Sequence, residues 1–405
     1  MQELERIARE SYGRLRALVA AKTRDLSLAE DVLGDALMAA LVQWPKDGLP
    51  KRPEAWLITV ARRRAIESQR RGTVHARAVQ ALALLAEEAE AEVSASVFPD
   101  RRLELMFVCA HPSIDEGART ALMLQTVLGM NAAQVGAALR VPAKTMGQRL
   151  WRAKRKIDLA GIRFEVPEAE SLSERLKYVL EAIYAAFGEA WQDTTHRSCH
   201  GLAEEAIWLA RLASRLLPEE PEALGLLALL LFIESRRETR RAHGRYVPLS
   251  EQAANRWNVE MIAEAERCLQ EASSARRIGP FQLEAAIQSA YVAKFRHGVD
   301  SGEEIVRLHE ALVRLAPTLS AWVGFAAALL DHQDEEAALT VLDAMDQAAV
   351  RDYQPYWAVR AHVLAALGSS EAEAAFRRAA GLTEDPATRA YLLSRLTSKK
   401  KRTLM

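Results

Sequence analysis

The sequence predicts an all-α protein built from several helical units. Alanine and leucine recur at three- and four-residue spacings through most of the chain, and no long stretch alternates apolar and polar residues with period two. Proline and glycine fall mostly between these periodic segments. With 405 residues, the chain is long enough for two or three domains rather than one compact core.

Composition excludes several classes of protein. Half of the residues are apolar and 27% are charged, which is typical of a globular protein, and the 54 basic residues equal the 54 acidic ones. The three cysteines, Cys109, Cys199 and Cys268, fit neither a disulfide framework nor a CxxC metal site, so we expect reduced thiols and a cytoplasmic location. The start of the chain lacks a signal segment, and the longest apolar run, Ala223 to Ile233, is too short to span a bilayer. We therefore expect neither secretion nor a membrane partner.

The first predicted element that carries a functional pattern is an amphipathic helix over residues 28–42. Its apolar stripe runs through Leu28, Val32, Leu33, Leu37 and Leu41. Asp31 and Asp35 lie one turn apart on another face. Paired acids near a helix start can also simply favour the helix dipole.

An aromatic and arginine-rich segment follows. We predict a loop over residues 44–53 and a helix over residues 54–71, with Trp44, Trp56 and interleaved arginines. Bases of a melted DNA strand stack on aromatic rings while cations hold the phosphates, so this composition suits single-stranded DNA. Trp56 could equally be a core residue, and Arg63 could serve only the DNA backbone.

The next segment is acidic: Glu87, Glu88, Glu90 and Glu92 lie within six residues. A run of acids of this kind can simply form a solvated helical tether between two domains.

Residues 131–157 give the clearest functional signal, two short helices joined by a tight turn. Asn131 is a predicted N-cap for a helix over residues 132–139, and Pro142 precedes a second helix from Ala143 to about Ile157. Met146, Leu150, Ala153 and Ile157 share one face of the second helix. Glycine is usual in such a turn, so Leu139 and Arg140 predict a strained or wider turn.

The rest of the second helix is strongly basic. Residues 140–157 contain seven lysines or arginines and no acid, which favours a DNA-binding helix-turn-helix over the alternative of a merely solvated face. The candidate DNA-contacting side chains, for base edges or phosphates, are Lys144, Thr145, Gln148, Arg149, Arg152, Arg155 and Lys156.

The C-terminal part contains an internal repeat. A shift of 35 residues superposes Trp322 on Trp357, Ala326 on Ala361 and Ala344 on Ala379. Ala372, Phe376 and Ala379 have the small-large-small spacing of a helix in a tetratricopeptide unit. We expect a helical repeat array, which binds or braces rather than catalyses.

These motifs together resemble bacterial extracytoplasmic-function (ECF) sigma factors. Residues 145–157 are similar to region 4, which recognises the −35 promoter element, and residues 28–42 and 44–71 are similar to region 2. Stretches such as 179–184, 225–229 and 279–287 resemble the ECF subgroup that has a C-terminal tetratricopeptide-like extension. The resemblance implies region 2 over residues 1–72, an acidic linker over 73–99, region 4 over 100–162, and the extension over 163–405.

The resemblance also implies partners and site residues. The partners are promoter DNA and core RNA polymerase, through its β′ clamp helices and β flap, with a possible protein ligand for the extension. The implied polymerase-binding residues are Glu30, Asp31, Asp35 and Met38. The implied −10 residues are Trp56, Arg62, Arg63, Arg70 and Arg71. The chain departs from the family's usual residues at Gly34, Arg63, Gly188 and Ala253.

We therefore expect a sigma factor that directs promoter recognition and has a regulatory C-terminal domain. The alternative is a helix-turn-helix regulator with a protein-binding repeat domain and no stable attachment to polymerase. No phosphate-binding, nucleophile-elbow or HExxH motif is present, so we expect no catalysis and no cofactor. The potential metal ligands His196, Cys199 and His200 have no second ligand pair nearby, so we expect no metal site.

Overall fold

A computed structural model describes residues 12–23, 26–71, 100–160, 167, 169–192 and 198–402. The fold is all-α, as predicted: the described residues form helices joined by short turns, with one two-stranded hairpin of two-residue strands. The chain divides into two compact units, Met1–Pro218 and Glu219–Met405. The acidic segment around Glu87–Glu92 and the pair His196 and Arg197 lie outside the described residues.

The first unit contains nine helices among its described residues. They are α1 (Tyr12–Thr23), α2 (Leu26–Asp47), α3 (Pro53–Arg71), α4 (Arg101–Cys109), α5 (Glu116–Thr126), α6 (Ala132–Ala138), α7 (Ala143–Ala160), α8 (Ala169–Gln192) and α9 (Ser198–Leu216).

Helices α1, α2 and α3 pack around a small apolar core. Leu15 and Val19 of α1, Val32 and Leu33 of α2, and Leu57 of α3 are nearly inaccessible to solvent. Helix α2 is longer than predicted, because it continues through Pro45 and ends where Gly48 adopts a φ of +84°. The predicted loop therefore starts at residue 48 rather than 44. Leu41, placed on the apolar stripe by its spacing, is exposed, because the buried face of α2 continues through Ala36, Ala40 and Trp44 instead.

Helices α4 and α5 form the centre of the unit. Leu103, Met106 and Phe107 of α4 and Leu122 of α5 are fully buried. Cys109, at the end of α4, is a buried free thiol 3.5 Å from the Thr126 hydroxyl, and burial raises its pKa to about 11. Such a thiol stays protonated and is a packing residue rather than a nucleophile.

The second unit contains the remaining helices and the hairpin. Its described elements are α10 (Pro221–Glu234), β1 (Arg241–Ala242), β2 (Arg245–Tyr246), α11 (Val259–Ser274), α12 (Pro280–His297), α13 (Gly302–Leu315), α14 (Leu319–Asp331), α15 (Glu335–Asp343), α16 (Gln347–Val350), α17 (Gln354–Ala366), α18 (Ala372–Gly381) and α19 (Pro386–Arg402). Three short 3₁₀ turns lie in the segment between α10 and α11.

The predicted 35-residue period is visible in these boundaries. Helix pair α14–α15 and helix pair α17–α18 start 35 positions apart, at Leu319 and Gln354. Ala326 and Ala361 are both fully buried where the second helix of each pair approaches the first. These small residues therefore lie where the paired helices approach closely, as their spacing predicted.

Among the described residues, no helix combines the length and the apolarity needed to cross a membrane. Helix α10 is apolar on every side, yet it has 14 residues and is covered by α11 and α12.

Candidate nucleic-acid and polymerase-binding surfaces

Helix α6 begins at the predicted N-cap. The Asn131 side chain accepts hydrogen bonds from the backbone N–H groups of Ala133 and Gln134, and the Gln134 side chain accepts one from the Asn131 N–H at 2.9 Å. This reciprocal arrangement satisfies the free donors at the start of the helix. It fixes where α6 starts relative to the turn that follows.

The turn between α6 and α7 depends on one glycine and strains one arginine. A Cβ on Gly136 would lie 2.6 Å from the Val141 carbonyl oxygen, so the chain can fold back closely only with glycine there. Arg140 adopts a φ of +54°, the left-handed conformation that glycine usually supplies. The prediction of a strained turn at this position is confirmed.

Helix α7 separates a buried face from a basic face. Met146, Leu150 and Ala153 are buried, while Ile157 is partly buried. The predicted DNA-contacting residues all have exposed side chains except Thr145, which is half-buried; the exposed ones are Lys144, Gln148, Arg149, Arg152, Arg155 and Lys156. The structure thus presents the predicted set on one solvent-facing surface.

The same surface includes an aromatic side chain that the sequence interpretation left out. Trp151 is 58% exposed, and the Arg155 guanidinium lies 5.1 Å from the centre of its ring. A large exposed aromatic beside cations is a common contact for bases or sugars. The signal was present in the sequence, since residue 151 lies outside the stripe through Met146, Leu150 and Ala153.

On α2, three of the four predicted polymerase-binding residues face solvent. Asp31 and Asp35 are exposed one turn apart, and Met38 is 63% exposed one turn further on. Leu41 and Val42 extend this surface with apolar groups that are 45% and 57% exposed. An acidic and apolar strip of this kind is suited to docking on a basic protein surface.

Glu30, the fourth residue, is engaged within the unit. Its carboxylate accepts hydrogen bonds from Arg16 Nη1 at 2.9 Å and from Lys154 Nζ of α7 at 2.7 Å. Arg16 is 3% exposed, and its Nη2 donates to the Gln125 carbonyl of α5 at 2.5 Å. Burial lowers the pKa of Arg16, and the Glu30 carboxylate opposes that shift. These contacts join α1 and α2 directly to α5 and α7.

The predicted −10 residues all lie on α3, from Trp56 in its first turn to Arg70 and Arg71 at its end. The Trp56 ring, half-buried, meets the buried Trp44 ring edge-on with their centres 5.5 Å apart. Arg62 is half-buried and Arg63 is exposed. The side chains of Arg70 and Arg71 lie outside what the structure describes. Trp56 therefore makes a packing contact with Trp44 and keeps part of its surface accessible, and its −10 role stays a prediction.

Helix α8 packs on α4 and α5 through polar contacts. Glu116 accepts hydrogen bonds from the Tyr178 hydroxyl at 2.7 Å and from Lys177 at 3.2 Å, and the Thr120 hydroxyl lies 3.3 Å from Glu181. Arg175 donates to the Phe107 carbonyl at 3.2 Å. The first helices after the predicted region 4 are thus built into the first unit.

Helix α9 packs along α8, and one arginine also links it to α4. Arg102 of α4 forms an ion pair with Glu205 of α9 at 2.6 Å, and its guanidinium lies 4.3 Å from the centre of the Trp208 ring. The predicted boundary at residue 162 remains a prediction, while the compact unit extends to Pro218.

Comparison with known proteins gives three findings. Residues 7–74 match sigma-70 region 2, and residues 175–273 match a family of unknown function. An uncharacterized protein of Rhizobium meliloti (strain 1021) is 36% identical over 383 residues, which cover 92% of this chain and 90% of the relative. No solved structure matches.

The chain belongs to the family of that rhizobial protein. The region 2 match also supports a factor of the sigma-70 family with a role in promoter recognition. The residues that match region 2 include all of α1, α2 and α3. They therefore contain the Trp44–Trp56 pair and the acidic strip on α2, which consists of Asp31, Asp35, Met38, Leu41 and Val42. Region 2 of sigma-70 factors implies core RNA polymerase and promoter DNA as partners.

Across the described part of the chain, no group of three or more His, Cys, Asp or Glu side chains is placed to hold a metal ion. The side chains of His196, Cys199 and His200 are outside that part.

We expect Gly136→Ala to destabilise the first unit by about 1–3 kcal/mol, because the new methyl group would overlap the Val141 carbonyl oxygen. Gly147→Ala is the matched control: it lies on α7 with no atom within 4 Å of the added Cβ, and should stabilise by about 0.5–1 kcal/mol through helix propensity. Urea unfolding followed by circular dichroism measures both. Equal shifts for the two variants would show that the close approach at Gly136 is unimportant.

Proposed function

We propose that this protein is an ECF-type sigma factor that binds core RNA polymerase and directs transcription initiation, and that it acts in the cytoplasm. The observation that carries the proposal is the combination of a sigma-70 region 2 match with two separate exposed surfaces of opposite character: the acidic strip on α2 and the basic face of α7. Such a factor acts through binding, with no catalytic residues of its own.

The acidic strip is the proposed polymerase-docking surface. Asp31, Asp35 and Met38 project from one side of α2, and the apolar groups of Leu41 and Val42 continue that side. Opposite charge steers encounter and fixes register, while the apolar groups supply area that is buried on binding. The proposed partner surface is the pair of β′ clamp helices, with the β flap receiving residues 100–162.

The basic face of α7 is the proposed −35 surface. An α-helix fits the major groove, and in the proposed complex the exposed side chains of Gln148, Arg149 and Arg152 contact base edges. Lys156 and Arg155, nearer the helix end, are placed to hold phosphates. At the −10 element, Trp56 and Arg63 on α3 supply the ring and cation that a melted strand requires.

Promoter binding requires α1–α3, which carry the proposed −10 residues, to separate from α7, which carries the proposed −35 surface. The −35 and −10 elements are about 25 base pairs apart, or about 85 Å at 3.4 Å per base pair. In this structure α2 and α7 are joined by the 2.7 Å contact between Glu30 and Lys154, so one compact unit cannot span both elements. We therefore propose that the described arrangement is a closed state that opens when the factor engages polymerase.

We also propose that the C-terminal part regulates this opening. Helix α8 follows the proposed region 4 and packs on α4 and α5, and α9 packs on α8 and contacts α4 through Arg102. A change that alters α8 would act directly on α5 and α6, which pack against α7, the helix that carries the proposed −35 surface.

Reversing both charges in Asp31→Lys/Asp35→Lys should weaken binding to core polymerase at least tenfold, because the charge complementarity at the docking surface becomes repulsion. Glu170→Lys/Glu174→Lys on α8 makes the same charge change at the same spacing, on exposed residues away from the strip. Co-purification and fluorescence anisotropy with core polymerase measure both variants. Undiminished binding by the first variant would favour the rival regulator that has no polymerase attachment.

We expect Arg149→Ala to cost about 1–3 kcal/mol and to relax preference at one base pair, because a bidentate base contact is lost. Lys156→Ala should instead weaken binding to every sequence and reduce the salt slope by about one. Anisotropy titrations of holoenzyme on a panel of promoter variants over several salt concentrations distinguish the two behaviours. The assignment of base and phosphate contacts fails if both variants show the same pattern.

Breaking the contact between α2 and α7 should favour the open state. Lys154→Met removes a partly buried pair worth about 1 kcal/mol, so the open-to-closed ratio should rise roughly fivefold. Lys156→Met, an exposed position on the same helix, is the charge-matched control. The distance between fluorophores on α3 and α7 reports the change, and identical distance distributions for both variants would contradict a closing role for Lys154.

A further inference from the structure

One position interrupts the apolar face that α13 presents to its neighbours. Ile305, Leu312 and Val313 are buried, and they belong to clusters that also contain residues of α12 and α14. His309 lies four residues after Ile305 and three before Leu312, so it shares this face of the helix. Only 9% of His309 is exposed. An ionisable ring therefore lies in the middle of an apolar interface between helices.

The ring of His309 lies directly against a glycine of α14. A Cβ on Gly324 would lie 2.9 Å from Cε1 of His309 and 3.1 Å from its Nδ1, so the ring contacts the bare backbone of α14. Gly324 lies between Ala321 and Ala328, which are both buried in the same two clusters. The small residues let the two helices approach closely, and the imidazole fills the space that a side chain at position 324 would take.

This interface accommodates the neutral imidazole and opposes the charged one. Nδ1 of His309 is buried and has no hydrogen-bond partner in the part of the chain that the structure describes. A neutral imidazole can hold its one proton on Nε2 and leave Nδ1 without a hydrogen. A charged imidazole carries a proton on both nitrogens, so it would bury an N–H group that has no acceptor. Protonation of His309 is therefore unfavourable while α13 and α14 remain packed.

No charged group among the described residues offsets this preference. Burial is the one influence on the pKa of His309, which it lowers to about 4. On α13 itself, Glu303 pairs with Arg307, and Glu310 pairs with Arg314. The other titratable groups of α13 and of the two helices that pack on it are Glu304 of α13, Glu284, Tyr291, Lys294, Arg296 and His297 of α12, Asp331 of α14 and His332 directly after α14. None of these groups shifts the pKa of His309.

We propose that His309 makes the joint between α13 and α14 sensitive to acid: the neutral ring holds the two helices together, and its protonation separates them. The proton binds after the joint opens, because the extra N–H group then finds water as its acceptor. Acidification therefore shifts the second unit towards forms in which α13 and α14 are apart. This inference concerns the second unit alone and does not depend on the promoter role proposed above.

The direction of the effect follows from the two states of the ring. In the open form His309 titrates near its ordinary pKa of about 6.5, and in the closed form near 4. Stability is complete above about pH 6.5 and is lost as the pH falls towards about 4, because the open form binds the proton more tightly. The opening constant should rise about fourfold between pH 7.5 and pH 6, and about 25-fold between pH 7.5 and pH 5.

A second histidine, His362, lies at another joint of the same unit. Its ring centre is 6.2 Å from that of Tyr391 on α19, against which the Tyr246 ring of the hairpin also packs. Burial and the positive charge of Arg395 lower the pKa of His362 to about 4. The test therefore has to separate this histidine from His309.

The test measures local opening in the full-length chain. Hydrogen exchange with mass spectrometry is recorded at about pH 7.5, 6 and 5, with each rate corrected for the intrinsic pH dependence of amide exchange. Protection of α13 and α14 should fall about 25-fold from the highest pH to the lowest in the wild type. His309→Gln should reduce this fall to less than about fivefold, because glutamine does not titrate. His332→Gln, the same change at an exposed residue beside the same helices, should leave the fall unchanged.

A second measurement does not depend on how well a variant packs. The ring resonances of the histidines in the wild type are followed by NMR as the pH is lowered, and the His309 resonance is identified by its absence from both His309→Gln and His309→Leu. We expect this resonance to keep its neutral position at about pH 6, where an ordinary histidine is largely charged. Titration of His309 near pH 6.5, no loss of protection in the wild type, or an equal loss in wild type and His309→Gln would each overturn the proposal.

Discussion

The first unit depends on the buried guanidinium of Arg16. It donates to Glu30 on α2 and to the Gln125 carbonyl at the end of α5, and Glu30 also accepts from Lys154 on α7. A charge this deeply buried is tolerated only while its partners stay in place, so these contacts are required together. Beside them, a Cβ on Gly13 would lie 1.8 Å from the Val127 carbonyl oxygen, so α1 reaches α5 closely only because glycine is there. With α2 held in this way, Asp31 and Asp35 are turned towards solvent.

Features that depend on neighbours in sequence were predictable. The Asn131 cap, the buried face of α7 and the 35-residue offset between Trp322 and Trp357 follow from local chemistry and from helix periodicity. The basic residues of α7 could be predicted for the same reason, since exposure on an amphipathic helix follows from spacing, whereas the residues of α2 and α3 followed from the resemblance to region 2. Contacts between distant segments could not be predicted. The Arg16–Gln125 hydrogen bond joins residues 109 positions apart, and no periodicity encodes it. The assignment of Glu30 to the docking surface missed its two internal partners for that reason.

Sequence families and compact units divide this chain differently. The match to a family of unknown function starts at residue 175, within α8, and ends at residue 273, within α11. The boundary between the compact units lies in the sequence after Pro218. Helices α8 and α9 therefore belong to the second half by sequence family and to the first unit by packing. The buried apolar face of α8 and the polar contacts of Tyr178 and Glu181 attach α8 to α4 and α5, and Glu205 links α9 to α4. A truncation designed from the sequence alone would remove α8 and α9, which pack against the other helices of the first unit.

The contact between the hairpin and α19 changes how the second unit unfolds. A linear array of helix pairs contacts only its nearest neighbours, so it frays from its ends and loses its terminal pairs first. Here, residues separated by 144 positions, Arg241 with Asp385 and Glu251 with Arg395, hold the segment between α10 and α11 against the last helix. Helix α19 cannot fray fully without breaking these contacts, which couples its stability to that of the segment after α10. Cooperativity is gained at the expense of folding speed, because such long-range contacts form only after a large loop has closed.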